Sequence, residues 1–255
     1  MELTYDQKKA FYEDGYIIVR GCVPEIMVER ARRAINHHMS QNMIQQGRNL
    51  GLSDQAVITD LFNKTPISPM CESIVGEENL QFPKAGNVKL NFPGAEDRKL
   101  VRGHLDLGGK LRQGLLSRGF TLLVVVLVQD VPRPYMGNFS FWPGSHKVFE
   151  KAFQADPDYP ETLRQNCRSP GVDLPHAPIQ FTGKAGDVAI CHHQQFCRMY
   201  HNGAPNNSPD IRYAVIFRPR HVNAGENSTD AMADIWREFG GLEDVREELE
   251  AVSAD

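Results

Sequence analysis

Apolar positions along the chain change period near residue 87. Before it they recur at helical spacing. Thr4-Tyr5-Asp6-Gln7 has the pattern of a capping box, and the helix it opens is expected to stop at Gly15. A short strand follows over Tyr16–Val19. Pro24 is placed for the first turn of a second helix, in which Val28, Ala31, Ile35 and Met39 share a face and which should end near Gly47. A third helix is expected over 53–62, and a short fourth after Pro66, ending by Gly76. Beyond 87 the apolar runs become short and rich in β-branched or aromatic residues. They cover 87–92, 119–131, 137–142, 187–191 and 212–218, and Gly, Pro and Asn bound them, as expected of strands. The stretch 151–183 is polar and proline-bearing and reads as a long loop with the character of a lid. Met232, Ile235, Trp236 and Phe239 then mark an amphipathic helix over 229–239, which the acidic tail is expected to continue.

This order predicts a mainly β fold with N-terminal helices: a double-stranded β-helix, or cupin-like jelly roll. One domain would span 1–255, with a helical front over about 1–80, a jelly-roll body over about 81–221 and a C-terminal helix over about 229–251. An α/β fold fits less well, because the second half lacks strand–helix alternation and a Gly-rich nucleotide loop. Gly108-Gly109 and Gly137-Asn138 read as turns.

Composition narrows the function classes. A hydrophobic content of 41% supports a folded core, and a net charge of −4 gives no electrostatic footprint for nucleic acid. Arg30, Arg32 and Arg33 read as the solvated face of a helix. The five cysteines form no C-x-x-C and no paired spacing, so a reducing cytoplasm is the expected compartment. The longest apolar run, 120–128, is of strand length, far short of the roughly 18 residues of a membrane span. The N-terminus has no signal-peptide character.

The candidate chemistry lies in His104-Leu105-Asp106 and the distant His201. A His-x-Asp doublet arises readily by chance in a chain with nine histidines. Here, however, the surrounding alternation fits a strand, on which residues two apart point the same way, so His104 and Asp106 can bind one ion together. Two imidazoles and a carboxylate on one face of a metal leave the opposite face for a chelating cosubstrate and dioxygen, as in non-haem Fe(II) oxygenases. Arg212, opening an apolar run, could hold the far carboxylate of a bound diacid. His192 and His193 compete with His201 for the distal position. Only His201 is followed by the Asn206, Ser208 and Arg212 pattern. One of the pair could pack in the barrel while the other faces water, or either could line the pocket. Lys89 and Asn91, two apart on a predicted strand, face either the pocket or solvent. Arg102, Arg198 and Trp142 are further candidates, and cations facing the cavity would favour an anionic or polar substrate.

The ordered set of His104-x-Asp106, Phe141-Trp142-Pro143-Gly144-Ser145-His146, Gly186-Asp187 and His201 through Arg212 resembles the phytanoyl-CoA dioxygenase family of Fe(II)/2-oxoglutarate-dependent oxygenases. The opening helix running into Asp14-Gly15-Tyr16 resembles that family's usual start. The resemblance implies that His104, Asp106 and His201 ligate Fe(II), and that Arg212 pairs with the C5 carboxylate of 2-oxoglutarate. It also implies that Ser208 assists the same carboxylate and that His146 belongs to a structural turn; Lys89 is a further cofactor-binding candidate. The implied partners are 2-oxoglutarate, dioxygen and a small organic substrate. Leu105 replaces a residue that is often polar in the family, and the stretch from Asp187 to His201 is longer than usual. Related halogenases lack the carboxylate seen at Asp106, which favours hydroxylation or a similar oxidation. The alternatives are a metal-dependent jelly-roll enzyme without 2-oxoglutarate, such as an isomerase or another dioxygenase, and a ligand-binding jelly roll whose histidines are structural.

Overall fold

The computed structural model describes residues 1–42, 51–94, 99–104, 120–156, 172–193, 200–224 and 234–253. Helix α1 (Tyr5–Asp14) begins as the capping box requires. The Thr4 hydroxyl accepts the Gln7 N–H, the Gln7 side chain accepts the Thr4 N–H, and Gly15 ends the helix at φ 79°, a left-handed value that glycine adopts without strain. Strand β1 (Tyr16–Val19) leads to α2 (Glu25–Gln41), which buries Val28, Ala31 and Ile35. Pro24 stands just before α2 rather than in its first turn, and the helix stops at Gln41, short of Gly47. Helices α3 (Ala56–Asn63) and α4 (Ile67–Val75) complete the front.

The strands that follow are β2 (Leu80–Gln81), β3 (Asn87–Asn91), β4 (Leu122–Leu127), β5 (Phe139–Phe141), β6 (Ile179–Gln180), β7 (Val188–His192), β8 (His201–Gly203), β9 (Arg212–Phe217) and β10 (Arg220–His221). They pair antiparallel. One sheet has the order β1-β7-β4-β9-β3, a second β6-β5-β8, and β10 pairs with β2. Two antiparallel sheets around an aromatic interior, with helices on the far face of the larger one, make the jelly roll expected from the sequence.

Strand β4 shows why this arrangement holds. All six of its residues are buried because both faces of the sheet are covered. Leu122, Val124 and Val126 pack with Phe11, Ala31, Ile35 and Phe62 on the helix side, whereas Leu123, Val125 and Leu127 join Phe139, Phe141 and Phe181 in the interior. Each such side chain contributes about 1.5–3 kcal/mol on leaving water.

Two expectations are corrected. The stretch 151–183 does not begin as loop: helix α5 (Ser145–Ala155) runs into it, burying Phe149 and Phe153 one turn apart, and β6 lies near its end. The C-terminal apolar residues Ile235, Trp236 and Phe239 are buried, but residues 234–239 form turns, with the Asp234 side chain accepting the Trp236 N–H. A short 3-10 turn (Gly240–Leu242) intervenes, and helix begins only at α6 (Glu243–Ser253), since Gly240-Gly241 is a poor helix interior. No described helix is long and apolar enough to cross a membrane.

Candidate functional site

His201 opens β8, and its backbone exchanges both hydrogen bonds with His104, at 2.9 and 3.2 Å. Residues opposed in this way present their side chains to the same face. His201 is also opposite Phe141 of the interior cluster, so both imidazoles face into the jelly roll, with ring centroids 4.8 Å apart. The residues just before them lock this juxtaposition. Gly103 lies against the rings of Tyr200 and Trp142; a Cβ there would overlap Tyr200 and come within 2.8 Å of Trp142. The Trp142 and Tyr200 rings meet at 4.8 Å, tilted by 59°, and pack toward Phe149 of α5, so Trp142 is a buttress behind the site rather than part of its lining. Asp106 and Arg198 lie outside the described residues. Among those described, no three His, Cys, Asp or Glu side chains gather as a metal-holding group.

Arg212 opens β9 opposite Asn91. Ala214, next on the same face, belongs to the interior cluster, so the guanidinium points inward. It is 5% exposed; its Nε donates to the Gly137 carbonyl at 2.6 Å, and Nη1 is buried with no hydrogen-bond partner among the described residues. Burial lowers its pKa to about 10. Among the described residues, a guanidinium held in this way lacks the anionic acceptor its chemistry favours. Gly137 is held in turn: it adopts φ 73°, and a Cβ on it would press into the Asn91 side chain at 2.8 Å.

The loop from β8 to β9 is tied by Asn206 and Ser208. The Asn206 amide donates to the carbonyls of Asn91 and Asp210 at 2.8 and 2.7 Å. Its carbonyl oxygen accepts the Ser208 hydroxyl at 2.7 Å. Ser208 Oγ also accepts the Asp210 N–H at 3.3 Å. In this structure the hydroxyl closes a turn that delivers Arg212. Lys89 stands opposite Ala214, which places it on the interior face of β3 and half-buried, as are Asn87 and Asn91. Arg102 is exposed.

The histidine pair resolves by strand phase. His192 is paired with Leu122 on the helix side, where its Nε2 lies 2.9 Å from the Ile235 carbonyl and its ring stacks on Phe239 at 4.8 Å. His146, in the first turn of α5, stands 5.1 Å from it. His193 has the opposite phase; its ring lies 5.3 Å from that of His201. Neither faces water, because the helices and C-terminal turns cover the sheet side where one was expected to be solvated. The carbonyl of Gly137 was not read as a site element from the sequence, and Asn206 was read only as part of the pattern behind His201, not as the residue that ties the turn. Asn206-Asn207-Ser208 between two prolines carries the turn signal for the second; nothing in the sequence marks the first.

No family model matches the chain, and no curated protein matches it. Solved structures do. HygX from Streptomyces hygroscopicus, with nickel and 2-oxoglutarate bound, is 16% identical with a TM-score of 0.60, over 87% of this chain and 88% of that one. EctD from S. alaskensis, with 2-oxoglutarate and 5-hydroxyectoine, is 17% identical at 0.60, over 87% and 77%. The non-heme alpha ketoglutarate dependent carbocyclase SnoK from nogalamycin biosynthesis is 19% identical at 0.56, over 85% and 84%. What the chain shares with these oxygenases across most of its length is the jelly-roll fold.

Proposed function

We propose that the protein is an Fe(II)- and 2-oxoglutarate-dependent dioxygenase that hydroxylates or otherwise oxidises a C–H bond of a small organic metabolite. The observation that carries this is the Arg212 guanidinium, buried in the same interior that His104 and His201 face, with a nitrogen that has no acceptor among the described residues. A dianionic cosubstrate bridging a metal and a guanidinium fits both ends of that arrangement. HygX and EctD hold 2-oxoglutarate within the same fold.

In this reading the imidazoles of His104 and His201 and the carboxylate of Asp106 hold the iron by one face. When bound, iron and 2-oxoglutarate with dioxygen supply the oxidising power, releasing succinate and CO2. The chain's own groups set position and environment. Arg212 fixes the C5 carboxylate by charge-assisted hydrogen bonds, and the Gly137 carbonyl fixes Arg212. Ser208 and Asn206 shape the turn that aims it, and Lys89 adds a second cation to the interior wall beside it. Phe139, Phe141 and Phe181 keep water from that wall. A half-buried Lys89 flanked by Asn87 and Asn91 favours a polar or anionic substrate over a bare hydrocarbon.

The test is succinate release from 2-oxoglutarate with Fe(II) across a metabolite library, alongside the visible charge-transfer band on anaerobic addition of both. Activity and band are expected in the parent and lost in His104→Ala, Asp106→Ala and His201→Ala. A parent without either, or an Asp106→Ala variant that keeps both, would refute the assignment.

A further inference from the structure

We propose that His193 is a positioning residue for His201, acting through its ring as a packed plate and not as a metal ligand; this rests on the assignment of His201 to the iron. Four observations carry it. His193 follows Ala189 and Cys191 on the interior phase of β7, and its N–H donates to the Thr121 carbonyl at 2.9 Å, so its backbone stays tied to the sheet beyond the last strand residue. Its ring and that of His201 meet in a T-shaped contact, with centroids 5.3 Å apart and planes at 64°. It lies flat on Phe120, at 4.1 Å and 7°, and the Arg218 guanidinium stands 5.2 Å over the same Phe120 ring. Thr121, next to Phe120, is itself fixed: its hydroxyl donates to the buried Glu238 carboxylate at 2.6 Å and accepts the His221 N–H at 2.7 Å.

The consequence is a bracket around the distal imidazole. Among the described residues three rings pack around it, His104 at 4.8 Å, His193 at 5.3 Å and Phe139 at 5.6 Å. An imidazole ligand works only if its lone pair is held within about 10–20° of the metal direction, which a ring free to turn does not achieve. His193 does not join the other two histidines as a third donor, since no such group of three forms among the described residues. Its interior phase and its full burial against Phe120 instead make it the wall on which the His201 ring rests.

Cobalt(II) alone serves as the probe, read by its visible absorption during titration of the apo-protein, with apo melting temperature measured in parallel. His193→Ala is expected to weaken Co(II) about 10- to 100-fold, the range typical of lost orienting groups, and to alter the band. His193→Phe, which keeps a flat ring on Phe120, should stay within about threefold of the parent by the same logic. Phe120→Leu tests the stack from behind without altering any histidine, and is expected to weaken Co(II) in the direction of His193→Ala. The proposal is overturned if His193→Ala binds with parental affinity and spectrum. It is equally overturned if His193→Phe is as weak as the alanine variant while His193→Asn is parental, because the nitrogen and not the ring would then be what matters. Should His193→Ala not fold, parental binding by Phe120→Leu overturns it instead. His201→Ala separates the two levels: parental Co(II) binding there refutes the ligand assignment itself, whereas loss there with no effect at His193 refutes only the plate.

Discussion

Replacing Arg212 with methionine separates the cost of the guanidinium from its use. The group is 5% exposed, and burial brings its pKa more than two units down, to about 10. At roughly 1.4 kcal/mol per pH unit, holding the charge there costs on the order of 3 kcal/mol. The Nε hydrogen bond to Gly137 offsets part of this, and its loss would leave that carbonyl without the Arg212 donor, worth about 1–3 kcal/mol. Arg212→Met keeps most of the stem volume and removes the charge. The apo variant is therefore expected to be level with the parent or more stable by up to about 2 kcal/mol, which at this chain length raises Tm by roughly 2–4 °C per kcal/mol.

Binding should move the other way. Removing one partner of a desolvated charge pair costs about 2–5 kcal/mol, and a value near 3 weakens 2-oxoglutarate roughly 100-fold. The assay is calorimetric titration of 2-oxoglutarate into the Ni(II)-loaded protein, with thermal melts of the metal-free form. Arg212→Lys should recover only part of the affinity, because a point charge does not reproduce the fork. Parental cosubstrate affinity in Arg212→Met would refute the anchor. An apo form destabilised by more than about 2 kcal/mol would show that the arginine is a satisfied structural group.

Three further outcomes are expected. Gly103→Val drives a side chain into Tyr200 and Trp142, so it should lose about 1–3 kcal/mol of stability and, because Gly103 and Tyr200 directly precede His104 and His201, also weaken Co(II); a parental melt with parental affinity would contradict this. The Asp187 carboxyl is held below the usual range: burial alone would raise it, but the Gly21 N–H, Arg20 and the Lys184 N–H outweigh that. Its contribution is then complete above the unfolded value near 3.9 and lost as pH falls further, so Asp187→Asn should be less stable at pH 7 and show a shallower acid-unfolding slope. His146 is held well below its ordinary value, first by burial and then by the neighbouring His192 and Lys147, with the Tyr12 backbone offsetting part. The unfolded chain takes up that proton below about pH 6.5 while the fold resists it, so stability is full above that pH and falls beneath it. His146→Phe should flatten this loss in denaturant melts at pH 5 and 7.5, and an unchanged pH dependence would refute it.

Local signals were legible wherever one short segment carried the whole instruction. The Thr4–Gln7 box and Gly15 bound α1 as expected, and the β-branched runs became β3, β4, β7 and β9. Signals that depend on a neighbour were not. Phe149 and Phe153 are spaced for a helix face, yet the polar, proline-bearing stretch from 151 read as loop, and packing of Phe149 against Tyr200 makes that face necessary. Ile235, Trp236 and Phe239 read as one face of a helix; they are buried, but turns satisfy the same burial and Asp234 stabilises them locally. The paired histidines show the limit most clearly. Adjacent residues on a strand face opposite sides, and which side is interior depends on register with β4, a fact written in neither histidine.

That same register argument explains why the candidate site is assembled from residues so far apart. His104 and His201 meet because two segments exchange backbone hydrogen bonds at that one pair, and Arg212 joins their interior because β9 lies between β3 and β4 with Ala214 inward. A one-residue slip of β9 would turn Arg212 toward the helices, where Val215 and Phe217 now pack, and away from the interior that His104 and His201 face. The loop bonds of Asn206 and the close fit of Gly137 to Asn91 both oppose that slip at the Asn91–Arg212 end of the β3–β9 pair. The polar turn before Arg212 thus serves the fold and the chemistry through a single constraint. Asn206→Ala should therefore loosen cosubstrate binding through Arg212 without touching a metal ligand. Calorimetric titration of 2-oxoglutarate beside Co(II) titration checks this: weaker cosubstrate with unchanged metal affinity supports the argument, and a parallel loss of both contradicts it.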